Sequence, residues 1–204
     1  MMRAVVVARD PCPIHGYAHW DGPDERGIED GNINRPNPCE GGIIGVYDNP
    51  ADISVKALAQ LMQVNILALS GQSITNVSNS SQAISVADVP SAPFIVAGLT
   101  GTAATFADYA LGDGTSNTNY HANSSYAQAA TVNAIASNTF TVTATITNSS
   151  GGNLLYKEIG LAVTVTHSAS PYYFLLCHDQ VNSGSGYTVS NSGTLSVTYT
   201  GTFT

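Results

Sequence analysis

Residues 138–148 read Asn-Thr-Phe-Thr-Val-Thr-Ala-Thr-Ile-Thr-Asn, and the alternation is strict. Phe140, Val142, Ala144 and Ile146 fall on one side, and Thr139, Thr141, Thr143, Thr145 and Thr147 on the other. Successive side chains of an extended chain point to opposite faces, so this is a strand with one buried face and one hydroxyl face. The pattern returns at Thr194–Thr200, with Leu195, Val197 and Tyr199 inward, and less cleanly at Leu161–Thr166. Phe94–Ala97 is a short apolar run before glycines, and Tyr172–Cys177 is a continuous apolar run of the kind carried by a strand covered on both faces. Turn signals at Ser150-Gly151-Gly152, Ser183–Gly186 and Asn191-Ser192-Gly193 separate these runs. Strands so spaced, with no helices between them, predict a mainly β domain: an antiparallel β-sandwich or jelly roll.

Upstream of the strands, Val55, Leu58 and Leu61/Met62 stand at helical spacing with Ser54 as N-cap, which predicts one short helix near 54–64. Ser73–Ser85 is polar and rich in breakers, a loop or weak strand.

Charge divides the chain more sharply than hydropathy does. Only 10% of the 204 residues are charged, against about 25% in a typical soluble domain. Ser, Thr and Asn number 21, 20 and 16 and fill the gap. Of the 20 charged residues 13 lie in positions 1–52, leaving seven for the other 152; six of nine prolines are there too, and the first Ser or Thr is Ser54. Proline at such intervals fixes φ and removes backbone donors, so no long helix or central strand is expected. The predicted organisation is an extended Pro/Gly-rich N-terminal arm over 1–52 and a β-sandwich domain over 53–204. Ala4–Ala8 and Gly41–Tyr47 are compatible with short strands, but the arm has no core of its own. It needs a surface to lie on, its own domain or, with a reach of up to about 170 Å, a neighbouring subunit.

A net charge of −8 with only six Lys and Arg speaks against nucleic-acid binding and against a polybasic membrane anchor, both of which need clustered cations. No apolar run is long enough for a spanning helix, and Met1–Asp10 is too brief for a signal-peptide core, so synthesis in a cytoplasm is expected. Three cysteines leave one unpaired, which disfavours a disulfide framework.

Candidate chemistry is sparse. Cys12, His15, His19 and Cys39 approach zinc-ligand spacing, but Pro11, Pro13 and Gly16 prevent the usual presenting helix. Zinc, a Cys12–Cys39 disulfide and a plain ordered arm stay open. The loop from Asp113 to Asn119 offers oxygen ligands without the carboxylates of a strong calcium site, and reads equally as a polar turn. Gly98-Leu99-Thr100-Gly101-Thr102 invites a phosphate-loop reading, yet no Lys follows and no helix opens there. No GxSxG, HExxH or close carboxylate pair occurs in the β region, and His121, His167 and His178 are scattered among hydroxyl residues. A non-enzymatic protein without cofactor is expected. Four Asn-X-Ser/Thr sequons, at Asn76, Asn79, Asn123 and Asn148, are about what chance gives in a chain this rich in Asn, Ser and Thr.

Several motifs stand in a fixed order. A Gly-Thr-Gly-Thr-like turn at Gly98–Thr102, with one residue inserted, precedes Asp-x-Ala-Leu at Asp108–Leu111. Asn153 is followed by Glu158-Ile159-Gly160-Leu161, and the chain closes on Leu195-x-Val-x-Tyr-x-x-x-Phe203. Over residues 53–204 this order resembles structural proteins of tailed-phage virions. The resemblance implies a non-enzymatic virion component of capsid or tail, made in the host cytoplasm.

The surface chemistry agrees, since hydroxyls and amides can be buried between subunits without desolvating ions. The expected role is a capsid decoration or cement protein, a homotrimer on the lattice whose partners are the major capsid protein or other virion proteins. Expected contact residues are Arg3, Arg9, Trp20, Arg26 and Arg35 in the arm and Lys157 and Glu158 in the β region. A tail, baseplate or fibre component is the alternative. A carbohydrate-binding adhesin, favoured by ten tyrosines and polar loops, is an alternative of another class.

Overall fold

The computed structural model describes residues 2–9, 43–49, 53–54, 56–67, 71–88, 90–112 and 124–202. They form one helix, α1 (Lys56–Leu67), and fourteen strands. The strands are β1 (Met2–Arg9), β2 (Ile43–Asn49), β3 (Ile53–Ser54), β4 (Gln72–Thr75), β5 (Ser81–Ile84), β6 (Pro90–Gly98) and β7 (Ala127–Ala129). They continue with β8 (Thr131–Val132), β9 (Thr139–Thr147), β10 (Leu154–Tyr156), β11 (Glu158–His167), β12 (Ser170–Gln180), β13 (Tyr187–Val189) and β14 (Thr194–Thr202). A short 3₁₀ turn, Val181–Gly184, follows β12. All strand pairs are antiparallel. The outer sheet has the order β2-β1-β14-β9-β8 and the central sheet β3-β12-β11-β6-β7; β10–β13 and β4–β5 are two-stranded ladders.

The two five-stranded sheets enclose the main core, as the sandwich prediction requires. Val142, Ala144 and Ile146 of β9 and Leu195, Val197 and Tyr199 of β14 meet Ile95 and Ala97 of β6, Ile159 and Leu161 of β11 and Cys177 of β12. The central sheet is covered again on its far face. There Ala57, Leu61 and Val64 of α1 and Ile74 and Ile84 of the β4–β5 hairpin pack on Phe94, Val96, Ala162, Phe174 and Leu175. Double cover is why Tyr172–Cys177 shows no polar alternation, while β9 and β14, with one face outward, alternate.

The helix runs three residues past its expected end, and its buried face is Ala57, Leu61 and Val64, with Leu58 partly buried and Met62 half exposed. Ser54 is not a capping residue in a loop. It pairs with Cys177 as part of β3, and the Lys56 N–H at the helix start is satisfied by the Phe106 carbonyl at 2.8 Å.

The division of the chain at residue 52 needs correction. β1 lies between β2 and β14, and Ala4, Val6 and Ala8 are fully buried in the main core. Two short strands of the expected arm therefore belong to the sandwich. The run of small apolar side chains at Ala4–Ala8 fills alternate inward positions, and β14 supplies its backbone partners from Met2↔Gly201 to Arg9↔Thr194. Residues 10–42 lie outside the described residues.

Gly160 lies at a close approach within the central sheet. A Cβ there would sit 2.6 Å from Leu175 Cδ1, 3.0 Å from Val96 Cγ2 and 3.1 Å from the Cys177 carbonyl. Gly160→Ala is expected to destabilise by about 1–3 kcal/mol through overpacking. A denaturation midpoint equal to wild type would show that this layer yields.

Candidate functional site

The most elaborate polar constellation forms where β6 ends. After Gly98 the chain leaves the sheet, and residues 99–112 bond back to the end of the central sheet where β11 starts and β12 finishes. Glu158, opposite Gly98 on one side and Gln180 on the other, is the anchor. Its Oε1 accepts from Thr100 Oγ1 at 2.8 Å and from the Thr102 N–H at 2.6 Å; its Oε2 accepts from the Gly112 N–H at 2.6 Å. His178 stands beside it, with Nε2 3.4 Å from Glu158 Oε2 and Nδ1 2.6 Å from Asp108 Oδ2. Asp108 also accepts from the Thr105 N–H at 2.7 Å and Thr105 Oγ1 at 2.6 Å, and Gln180 Nε2 donates to the Gly101 carbonyl at 2.6 Å. The loop that invited a phosphate reading does cradle an anion, but the chain supplies that anion itself.

The electrostatics follow from burial and pairing. Glu158 is 0% exposed and His178 1%. Burial opposes charge on Glu158, but the His178 ring and the Gly112, Thr100 and Thr102 donors outweigh it and hold the carboxyl below its ordinary range. Burial likewise opposes charge on His178; Glu158 and Asp108 prevail and raise its pKa. At Asp108 burial is again overcome, by Thr105 and His178, and the pKa is lowered. The result is a chain of carboxylate, imidazole ring and carboxylate in which protonation of the ring is favoured. Nδ1 is hydrogen-bonded to Asp108, while Nε2 lies 3.4 Å from Glu158 Oε2 without a hydrogen bond, so the ring sits between two parts of the fold. The two carboxylates lie on opposite sides of the ring and do not converge on a point. Among the described residues no group of three or more His, Cys, Asp or Glu is placed to hold a metal ion.

Similar joints occur elsewhere. Asp88 accepts from the Ser85 N–H at 2.8 Å and Ser85 Oγ at 2.9 Å, with His167 Nδ1 at 2.9 Å. The Ser85 N–H is the main reason its pKa is lowered, ahead of His167. Asn148 is fully buried: Nδ2 donates to the Gly152, Val189 and Ser190 carbonyls, and Oδ1 accepts from the Ser150 N–H and hydroxyl. Its sequon is therefore inaccessible in the folded chain, whereas Asn79 is exposed. Tyr156, also buried, donates to the Ser125 carbonyl at 2.5 Å, and burial pushes its phenol above the ordinary range.

The expected contact residues are dispersed. Arg9 is exposed at the end of β1, and Arg3 lies on β1 opposite Thr200. Trp20, Arg26 and Arg35 lie outside the described residues, as do Cys12, His15, His19 and Cys39 and the loop from Asp113. Lys157 is half-buried between β10 and β11, its N–H on the Gly98 carbonyl and its own carbonyl accepting from the Val181 N–H. Glu158 is corrected from a surface contact to an internal anchor, because every direction around its carboxylate is taken by the chain. In the sequence His178 reads only as one of the scattered histidines and Asp108 only as part of a motif, and nothing there pairs them with Glu158. The motifs themselves were the signal: Gly98–Thr102, Asp108–Leu111 and Glu158–Leu161 converge here.

The outer surface has a different character. On β9 and β14, five outward pairs face each other: Thr139–Thr202, Thr141–Thr200, Thr143–Thr198, Thr145–Ser196 and Thr147–Thr194. Of the seven charged residues after 52, Asp88, Glu158 and Asp179 are buried. Among the described side chains, surface charge is left to Arg9, Lys56, Lys157 and the partly buried Asp108. Large apolar side chains nonetheless reach solvent, Phe106 at 58% and Ile135 at 65% exposed. No described helix is long and apolar enough to cross a membrane. Comparison with protein-family models, curated proteins and solved structures returns no match.

Proposed function

We propose that this protein is a non-enzymatic structural component of a virion, a decoration or cement protein that binds the capsid surface as a homotrimer. The observation that carries the reading is the nearly uncharged outer face of β9 and β14. Five cross-strand hydroxyl pairs form a broad surface that another protein can cover without stripping water from ions, at a saving of several kcal/mol per ion. The anchored loop with exposed Phe106 adds apolar area of the kind found at the centre of interfaces. Glu158 and His178 do internal work that suits a rigid part in an assembly. The sequence resemblance to tailed-phage structural proteins supports the same class, and the tail remains the competing location within it.

Particles purified by density gradient from cells producing this chain, with copies counted by mass spectrometry, test the reading. Hundreds of copies per particle are expected for a capsid cement and tens for a tail part. Absence from particles overturns the proposal. A point variant gives a second test. Thr145 is exposed on the hydroxyl face, with its Oγ1 2.9 Å from Ser196 Oγ. Thr145→Lys is expected to change stability by no more than about 0.5 kcal/mol while sharply reducing incorporation. Full occupancy by the variant would remove this face from the interface.

A further inference from the structure

A second recognition site lies away from the hydroxyl face. Where the turn of the β4–β5 hairpin meets the start of β12, a groove of about 300 Å³ opens, lined by Asn76, Ser78, Ser80, Gln82, Tyr172 and Tyr173. We propose that this groove binds a single neutral sugar residue of a glycan. The inference is independent of the shell reading and can fail without it.

The lining selects the ligand class. None of the lining residues is charged, so a phosphate, sulfate or carboxylate finds no counter-charge, whereas neutral hydroxyls find amides and hydroxyls. Asn76 is only 4% exposed, and its Oδ1 is committed to the Ser78 and Ser80 N–H groups, both at 3.0 Å. That fixes the amide plane. Its Nδ2 has no acceptor among the described residues and keeps some contact with solvent at the groove wall, where it is available to donate to a ligand hydroxyl. Two half-buried tyrosines supply ring surface for the C–H face of a pyranose and a phenol for its hydroxyls. The volume is at the lower end for small-molecule sites, suited to one ring rather than a chain.

The groove is also formed in advance. The Val77 N–H donates to the Tyr173 carbonyl at 2.9 Å, tying the hairpin turn to β12. Tyr173 is held edge-on to Phe94, ring centres 5.8 Å apart. Little ordering is left to oppose binding.

The test is titration of the isotope-labelled full chain with the methyl glycosides of glucose, galactose, mannose, N-acetylglucosamine and glucuronic acid, followed by amide NMR. At least one neutral glycoside is expected to bind saturably in the millimolar range, with shifts centred on the groove. Tyr172→Ala and Gln82→Ala should each weaken it about tenfold, as loss of one stacking or hydrogen-bonding group implies. Asn76→Asp keeps the acceptor that the turn needs and removes the Nδ2 donor, so it should retain the wild-type spectrum and lose binding. The proposal is overturned if no neutral glycoside shifts the groove resonances, if the glucuronide binds best, or if Asn76→Asp and Tyr172→Ala bind like wild type.

Discussion

A chain lacking residues 1–52 is expected not to fold cooperatively. The deletion removes β1 and β2, and with β1 go Ala4, Val6 and Ala8, all buried between the sheets. It also strips one side of β14 along its whole ladder, from Gly201 to Thr194. The loss of three core side chains comes to several kcal/mol, a large part of the 5–15 kcal/mol or so that holds a domain of this size. The bared β14 becomes a long flat edge, which favours association with other chains. Insoluble product, or soluble product without a cooperative thermal transition by circular dichroism, is the expected result. A partner variant separates the strands from what lies between them. Arg9 and Ile43 are paired across β1 and β2, so replacing residues 10–42 by a short Gly-containing turn should preserve the fold. Under the proposed function, that variant is also the one that should fail to join particles. A 1–52 deletion that melts like the full chain would show that β1 is dispensable.

Glu158→Ala is expected to destabilise by about 3–5 kcal/mol, because it removes one of the two carboxylates flanking the buried His178 ring and orphans the Thr102 and Gly112 N–H groups. Urea denaturation of the two proteins measures it, and a loss below about 1 kcal/mol would mean that water replaces the carboxylate. The same site predicts a pH profile. Glu158 and Asp108 have folded pKa values below their ordinary 4.5 and 3.8. Their contribution is present above those values and is lost as pH falls through the depressed ones. His178 is raised above its ordinary 6.5, so its contribution is full below 6.5 and is lost as pH rises through the raised value. Stability should therefore be highest between about 4.5 and 6.5 as far as this site governs it. In Glu158→Ala the alkaline decline should move to lower pH, since one of the two groups raising His178 is gone. An unchanged alkaline limb would assign the decline to other groups.

The sheets were legible in the sequence wherever one face is wet. β9 and β14 announce themselves by Thr alternating with Val, Ile or Tyr, and the doubly covered β12 by its unbroken apolar run. β7, β8, β10 and β13 were not seen, because two or three residues hold no period. The boundary at residue 52 misled for a physical reason: charge and hydroxyl content report what faces solvent, while β1 joins the fold through Ala4, Val6 and Ala8, which face inward. The site was half legible. Its motifs stood out as motifs, but the partnership of Glu158 with His178 and Asp108 depends on β12 returning beside β11 and on a loop folding back, and neither is a local property. Nothing about Glu158 in sequence distinguishes an internal anchor from a surface acid.

The position of β14 has a consequence for biosynthesis. The last strand lies between β1, made first, and β9, and pairs with both. At about 5–20 residues per second, β1 waits on the order of ten seconds or more for its neighbour to be translated, and contacts so distant in sequence form slowly thereafter. The outer sheet therefore closes only after Thr194–Thr202 has cleared the ribosome. Synthesis of β14 is what closes the sheet, and a nascent chain stalled short of it is an open-edged sheet awaiting a strand that any neighbouring copy can lend.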